Sequence, residues 1–109
     1  MTQQQPPPAA IAAMIDATNA GDTEAFVASF TDDAYVRDGS REFHGHAGAR
    51  DWDRTDNIGV GMHFDVLSWS SSGAEDYVVT IRATSRRFNG TGDMRVTLRD
   101  GRIARLEVG

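Results

Sequence analysis

The chain is expected to fold as a single α+β domain, with helices packed on one face of a sheet. Three observations predict this. Its 109 residues can bury one core but not two. Apolar residues recur at helical spacing in the first half and at a period of two from Met62 onward. Between these halves, residues 19–38 read as a helix end, a Gly turn, a short second helix and a strand, which is how a small α+β domain opens.

Residues 1–8 are polar and Pro-rich and are expected to be a disordered lead-in to a domain spanning 9–109. The first helix should begin near Pro8 or Ala9, since proline suits a first turn. Ile11, Met14, Ile15 and Thr18 make its apolar stripe, and Asp16 on the opposite side faces water. Gly21 closes the helix and Asp22 is placed to cap the next, whose buried side is Phe26, Val27 and Phe30.

A short strand over residues 34–38 ends at Gly39-Ser40, and residues 41–44 pair back with it as a hairpin. Gly45 starts a third helix, where Ala49 and Trp52 sit three apart and Asp53 and Asp56 repeat that spacing; Gly59 and Gly61 end it. Met62, Phe64 and Val66 then share one face of a strand, with His63, Asp65, Leu67 and Trp69 on the other. Tyr77, Val79, Ile81 and Ala83 alternate in the same way, as do Met94, Val96 and Leu98. Asp100-Gly101 is the strongest short hairpin signal, leading into a last strand over residues 102–108. The order is helix, helix, strand, hairpin, helix, then three long antiparallel strands.

Composition excludes several function classes. The chain is 39% hydrophobic and 25% charged, with a formal net charge of −5, which argues against nucleic-acid binding. All its basic side chains are Arg, a habit of high-GC bacterial genomes. Without cysteine there are no disulfides, thiol nucleophiles or Cys-based zinc sites. No apolar run approaches the roughly 18 residues that span a bilayer. The N-terminus has neither the basic start nor the apolar middle of a signal peptide, so a cytoplasmic protein is expected. Asn89-Gly90-Thr91 matches a glycosylation sequon but reads here as a turn.

Asn19-Ala20-Gly21-Asp22, followed by Phe30-Thr31-Asp32-Asp33-Ala34, resembles the entry of the nuclear transport factor 2-like superfamily, and within it of the SnoaL-like and ketosteroid isomerase-like proteins. Phe43-His44-Gly45 with Trp52, and the late Asp-Gly turn between long strands, extend the likeness over residues 9–109. The resemblance implies a cone: three N-terminal helices on a curved, mainly antiparallel sheet that encloses an apolar pocket. It also implies a homodimer through the outer face of the sheet. Such a pocket would take a small apolar or aromatic ligand and would need no cofactor.

In ketosteroid isomerases the strand corresponding to residues 34–38 ends in a general-base Asp, and Asp38 stands there. An apolar cone disfavours a charged carboxylate and makes it a better proton acceptor. The bland alternative is an Asp that simply opens the turn with Gly39 and Ser40. The family's two oxyanion donors fall on Met14 and Met94, neither of which can donate a hydrogen bond. Losing one such donor costs on the order of 10²–10³ in rate, so classical steroid isomerisation is not expected.

The implied pocket lining is Met14, Phe30, Val36, Trp52, Met94 and Val96. Trp52 reads as core or pocket wall, and Asp53 as solvent-facing or as a second carboxylate at the pocket mouth. His63 and Asp65, two apart on one strand face, suit a His oriented by a carboxylate or an exposed pair. Tyr35 points away from Asp38, whereas Val36 shares its face. His44 and His46 flank Gly45, but without a nearby third His or a Cys no metal site is expected. The arginines of residues 82–105 read mostly as a solvated or dimer-facing sheet surface. Two functions follow from the resemblance. One is a cofactor-independent isomerase, lyase or cyclase with Asp38 as base; the other is a non-catalytic ligand-binding or dimeric scaffold module.

Overall fold

The computed structural model describes residues 5–109. Of the expected disordered lead-in, residues 1–4 lie outside the described residues. Residues 5–8 have no regular secondary structure, and the Gln5 carbonyl accepts a hydrogen bond from Trp69 Nε1 at 2.7 Å.

Helices α1 (Ala9–Ala20), α2 (Thr23–Ala28) and α3 (Gly45–Asp56) pack on one side of a six-stranded sheet. Its strands are β1 (Phe30–Asp38), β2 (Arg41–His44), β3 (His63–Ser71), β4 (Asp76–Thr84), β5 (Asn89–Arg99) and β6 (Arg102–Val108). They are arranged β2-β1-β6-β5-β4-β3; the β1/β6 pair is parallel and the others antiparallel. Four strands follow α3, the three long ones and the last strand read over residues 102–108. This is the α+β, mainly antiparallel architecture that the change of apolar period predicts.

The predicted stripe of α1 is buried in full: Ile11, Met14, Ile15 and Thr18 are all at most 5% exposed. Gly21 ends the helix at φ 71°, a left-handed conformation that costs glycine no Cβ clash. Asp22 Oδ1 accepts from the Ala25 amide at 3.1 Å and so caps α2. That helix is shorter than expected. Phe30 already pairs with Ile103 at the start of β1, and the Ile103 amide bonds the Ser29 carbonyl at 2.8 Å. Between Phe30 and Tyr35 the pairing register shifts, which lets one strand serve both the helical layer and the sheet.

A second register shift corrects the expected faces of β3. Val66 pairs with Ile81 and Ser68 with Thr80, so Leu67 is the extra residue. The bulge brings Trp69 round to oppose the buried Val79, against the core rather than on the face of His63 and Asp65. The predicted alternation of β4 and β5 stands: Val79, Ile81, Ala83, Met94, Val96 and Leu98 are all buried. Asp100 (φ 53°) and Gly101 (φ 77°) both take the left-handed conformation that a tight β5/β6 hairpin requires.

The inner sheet face meets the helices in one core, with Phe26, Phe30, Met14, Met94, Val36 and Leu106 entirely buried. Asn19, at the end of α1, holds the outermost strand in place. Its amide nitrogen donates to the Phe64 carbonyl at 2.9 Å and its oxygen accepts from the Phe64 amide at 2.8 Å. The side chain thus supplies the backbone partners that edge strand β3 lacks there. Among the described residues no helix is long and apolar enough to cross a membrane.

Candidate functional site

The ends of β1 and β6, the C-terminal half of α3, the inner faces of β4 and β5 and the loop at residues 85–88 enclose a cavity of about 650 Å³. That volume falls within the roughly 300–1,000 Å³ usual for small-molecule sites. Its apolar wall is Trp52, Met62, Phe64, Ile81, Ala83 and Phe88. Its charged lining is Asp38, Arg41, Asp56, Arg87, Asp93 and Arg95. A second depression, beyond Arg41, is bordered chiefly by charged and polar side chains, with Phe43 as its apolar member. The first cavity has the mixed lining that a ligand site needs.

Asp38 ends β1 and stands opposite Arg41 across the Gly39-Ser40 turn. Its Oδ2 accepts from Trp52 Nε1 at 3.0 Å and from Arg41 Nη2 at 3.1 Å. No side chain or amide among the described residues donates to Oδ1. Asp38 therefore does not sit in the bare apolar cone expected of it; one carboxylate oxygen is gripped and the other is left open.

Arg41 ties Asp38 to a second carboxylate. Its guanidinium forks onto Asp56, with Nη1 to Oδ2 at 3.0 Å and Nη2 to Oδ1 at 2.8 Å. Thr55 Oγ1 adds a bond to Asp56 at 2.6 Å, and Arg87 Nη1 lies 3.9 Å away. The Arg41 bonds, more than Thr55, hold the Asp56 carboxyl below its ordinary value of 3.8 against the opposing effect of burial. The sign follows from that direction. A depressed folded-state value gives stability that is complete above the ordinary value and is lost as pH falls through the folded one. Asp56→Asn is expected to cost about 1–3 kcal/mol at neutral pH, with the gap to wild type closing below about pH 4. Urea unfolding across the acid range measures it, and a gap independent of pH would refute the assignment.

The remaining site residues of the sequence reading lie elsewhere. Met14, Phe30, Val36, Met94 and Val96 are at most 1% exposed and belong to the core, not to the lining of this cavity. Asp53 is neither solvent-facing nor at the cavity mouth. It is 1% exposed and turns towards α2, because Thr23 Oγ1, Asn57 Nδ2 and the Ile58 amide all donate to it. His63 pairs with Asp65 at 3.2 Å on the exposed face of β3, with more than half of its side chain in solvent, and does not reach Asp38. His46 Nε2 lies 2.9 Å from the Phe30 carbonyl, which accepts from it, while His44 packs on Tyr35. Among the described residues no three His, Asp or Glu side chains converge to hold a metal.

Arg41, Asp56 and Arg87 were missed, though a signal for two of them exists. A two-residue turn after Asp38 makes Arg41 its direct cross-strand neighbour, and Asp56 lies one helical turn beyond Trp52. The outer sheet face is self-paired where β1, β2 and β6 meet. Arg37 and Arg105 bond Glu107, and Tyr35 donates to Glu42 at 2.7 Å.

Helices on the concave side of this mixed sheet, with a cavity at the end of β1, define a protein of the nuclear transport factor 2-like class. A protein of that class from Cytophaga hutchinsonii has a TM-score of 0.80 at 14% identity, covering 100% of this chain and 93% of its own. The chain belongs to the SnoaL-like domain family, whose model matches residues 11–106. A structure described as a polyketide cyclase, from Sinorhizobium meliloti, is similar at 27% identity and a TM-score of 0.85, with 94% of each chain covered. Another, described as a ketosteroid isomerase, from Kribbella flavida, shares 18% identity and a TM-score of 0.77, covering 92% of this chain and 73% of its own. No curated protein matches the chain.

Proposed function

We propose that the cavity binds a small apolar or aromatic carbon acid and that Asp38 is its general base, in a cofactor-independent isomerase, lyase or cyclase. The observation that carries this is the half-gripped carboxylate: Oδ2 takes both donors, from Trp52 and Arg41, and Oδ1 takes none. A base positioned in this way can accept a proton from a substrate carbon and return it to a neighbouring one, so protons balance without a cofactor. Arg87, whose guanidinium approaches Asp56 only to 3.9 Å, and Arg95 both line the cavity and are donors for an oxygen that gains charge as the proton leaves. The likeness to a protein described as a polyketide cyclase supports carbon-acid chemistry.

Deuterium wash-in at the α-carbon of 1-tetralone, followed by NMR, tests the reading. Wild type should accelerate exchange over buffer, and Asp38→Asn should remove about 10²–10⁴-fold of that rate. Exchange unaltered by the substitution would overturn the base assignment.

A second reading, ligand binding without chemistry, is favoured by one feature. Asp38 and Arg41 are opposite charges facing each other across a turn, a pairing that also serves simply to lock a hairpin. Ligand binding with no exchange would favour it. A homodimer through the outer sheet face belongs to both readings, and light scattering of the purified chain tests it.

A further inference from the structure

The inner face of β5 reads Gly90, Gly92, Met94, Val96 and Leu98, and its last three residues fill the core. Glycine inside a strand weakens it, so each one calls for a cause: a bulge, a special φ, a close backbone approach or a ligand. At Gly90 the space is already taken up, since a Cβ there would lie 3.2 Å from the Phe88 ring. Gly92 has none of the structural causes. The β4/β5 pairing runs unbroken past it, with Ile81 directly opposite. Its φ is not in the left-handed region. A Cβ built on it meets no atom within 4 Å. What Gly92 does face is the cavity, which it lines together with Ile81.

We infer that Gly92 sets the size of ligand the cavity admits, leaving bare backbone where the ligand's carbon skeleton lies, so that a side chain there disfavours a bicyclic ligand more than a single ring. The inference rests on the cavity being the ligand site proposed above. It adds which dimension of that ligand the protein measures, and at which residue. Valine suits an extended strand, and here it would project into open space. Gly92→Val should therefore fold and melt at or above the wild-type temperature while shortening the cavity. A side chain can be accommodated at this position, yet the bulk it would displace is the ligand's.

NMR titrations of wild type, Gly92→Ala and Gly92→Val with phenol and with 2-naphthol test this. The 2-naphthol dissociation constant should rise at least about tenfold in Gly92→Val and by an intermediate factor in Gly92→Ala, with phenol changed by less than about twofold. Equal 2-naphthol affinity in all three proteins, or equal weakening of both ligands, would overturn the inference. Asp38→Asn, titrated and assayed in parallel, separates the two proposals. Naphthol binding that ignores Gly92 while exchange still needs Asp38 sinks only the size assignment. Size discrimination at Gly92 with exchange indifferent to Asp38 sinks only the base. Failure of wild type both to bind either ligand and to accelerate exchange sinks both.

Discussion

Asp53→Ala is expected to destabilise the protein by about 2–4 kcal/mol, since it leaves one buried donor and two partly buried ones without an acceptor at once. Asp53 Oδ1 accepts from Asn57 Nδ2 at 2.9 Å, and Oδ2 accepts from Thr23 Oγ1 at 2.9 Å. The Ile58 amide reaches Oδ1 at 3.4 Å, a weaker bond. Asn57 is fully buried and its other amide hydrogen goes to Thr18 Oγ1, so it has no water to turn to. Its own Oδ1 already lacks a partner among the described residues, which makes the cluster sensitive to further loss. Asp53 therefore joins α1, α2, α3 and the turn after it. Asp53→Asn keeps an oxygen for Asn57 and an NH₂ that can donate to Thr23, and should cost about 1 kcal/mol. Urea midpoints at constant m-value decide the matter. An alanine variant within about 0.5 kcal/mol of wild type, the scatter of an ordinary surface change, would show that the cluster does not hold these helices together.

This residue also shows where sequence reading reached its limit. Asp53 follows a buried Trp on an amphipathic helix, and charge alone suggested solvent. The buried face of α3 nevertheless runs through Ala49, Trp52, Asp53 and Asp56. Two carboxylates occupy it because donors from other elements meet them there, and pairing across 30 residues leaves no local trace. The fold was more legible because it rests on periodicity: the α1 stripe, the Gly21 end, the Asp22 cap and the Asp100-Gly101 hairpin are local chemistry. The bulge at Leu67 is not, and one inserted residue there reversed the predicted side of Trp69. The site was half legible. Asp38 and Trp52 come together as their positions in the family suggest, at 3.0 Å. The inner lining did not transfer, because Met14, Val36 and Met94 are consumed by the core. The cavity opens further along the sheet, where Gly92 on β5 leaves room.

Trp52 joins that core to the cavity, and its two functions can be separated. Trp52→Ala is expected to cost about 3–5 kcal/mol, the range for a truncated core aromatic. The ring is 2% exposed and stacks on Phe26 with centroids 6.0 Å apart. Because its other side borders the cavity, water can enter the space left behind, and the lower end of that range is the expected one. Trp52→Phe keeps most of the packing and deletes the Nε1–H that holds Asp38 Oδ2. Asp38 would then be steered by Arg41 alone, whose guanidinium is already committed to Asp56 through two bonds. A carboxylate free to rotate spends less time in a reactive geometry. The phenylalanine variant should thus lose about tenfold or more of the Asp38-dependent deuterium exchange while remaining folded at room temperature. The thermal midpoint and the exchange rate of the same sample separate these effects. If Trp52→Phe exchanges at the wild-type rate, the indole bond stabilises the fold and does not aim the base.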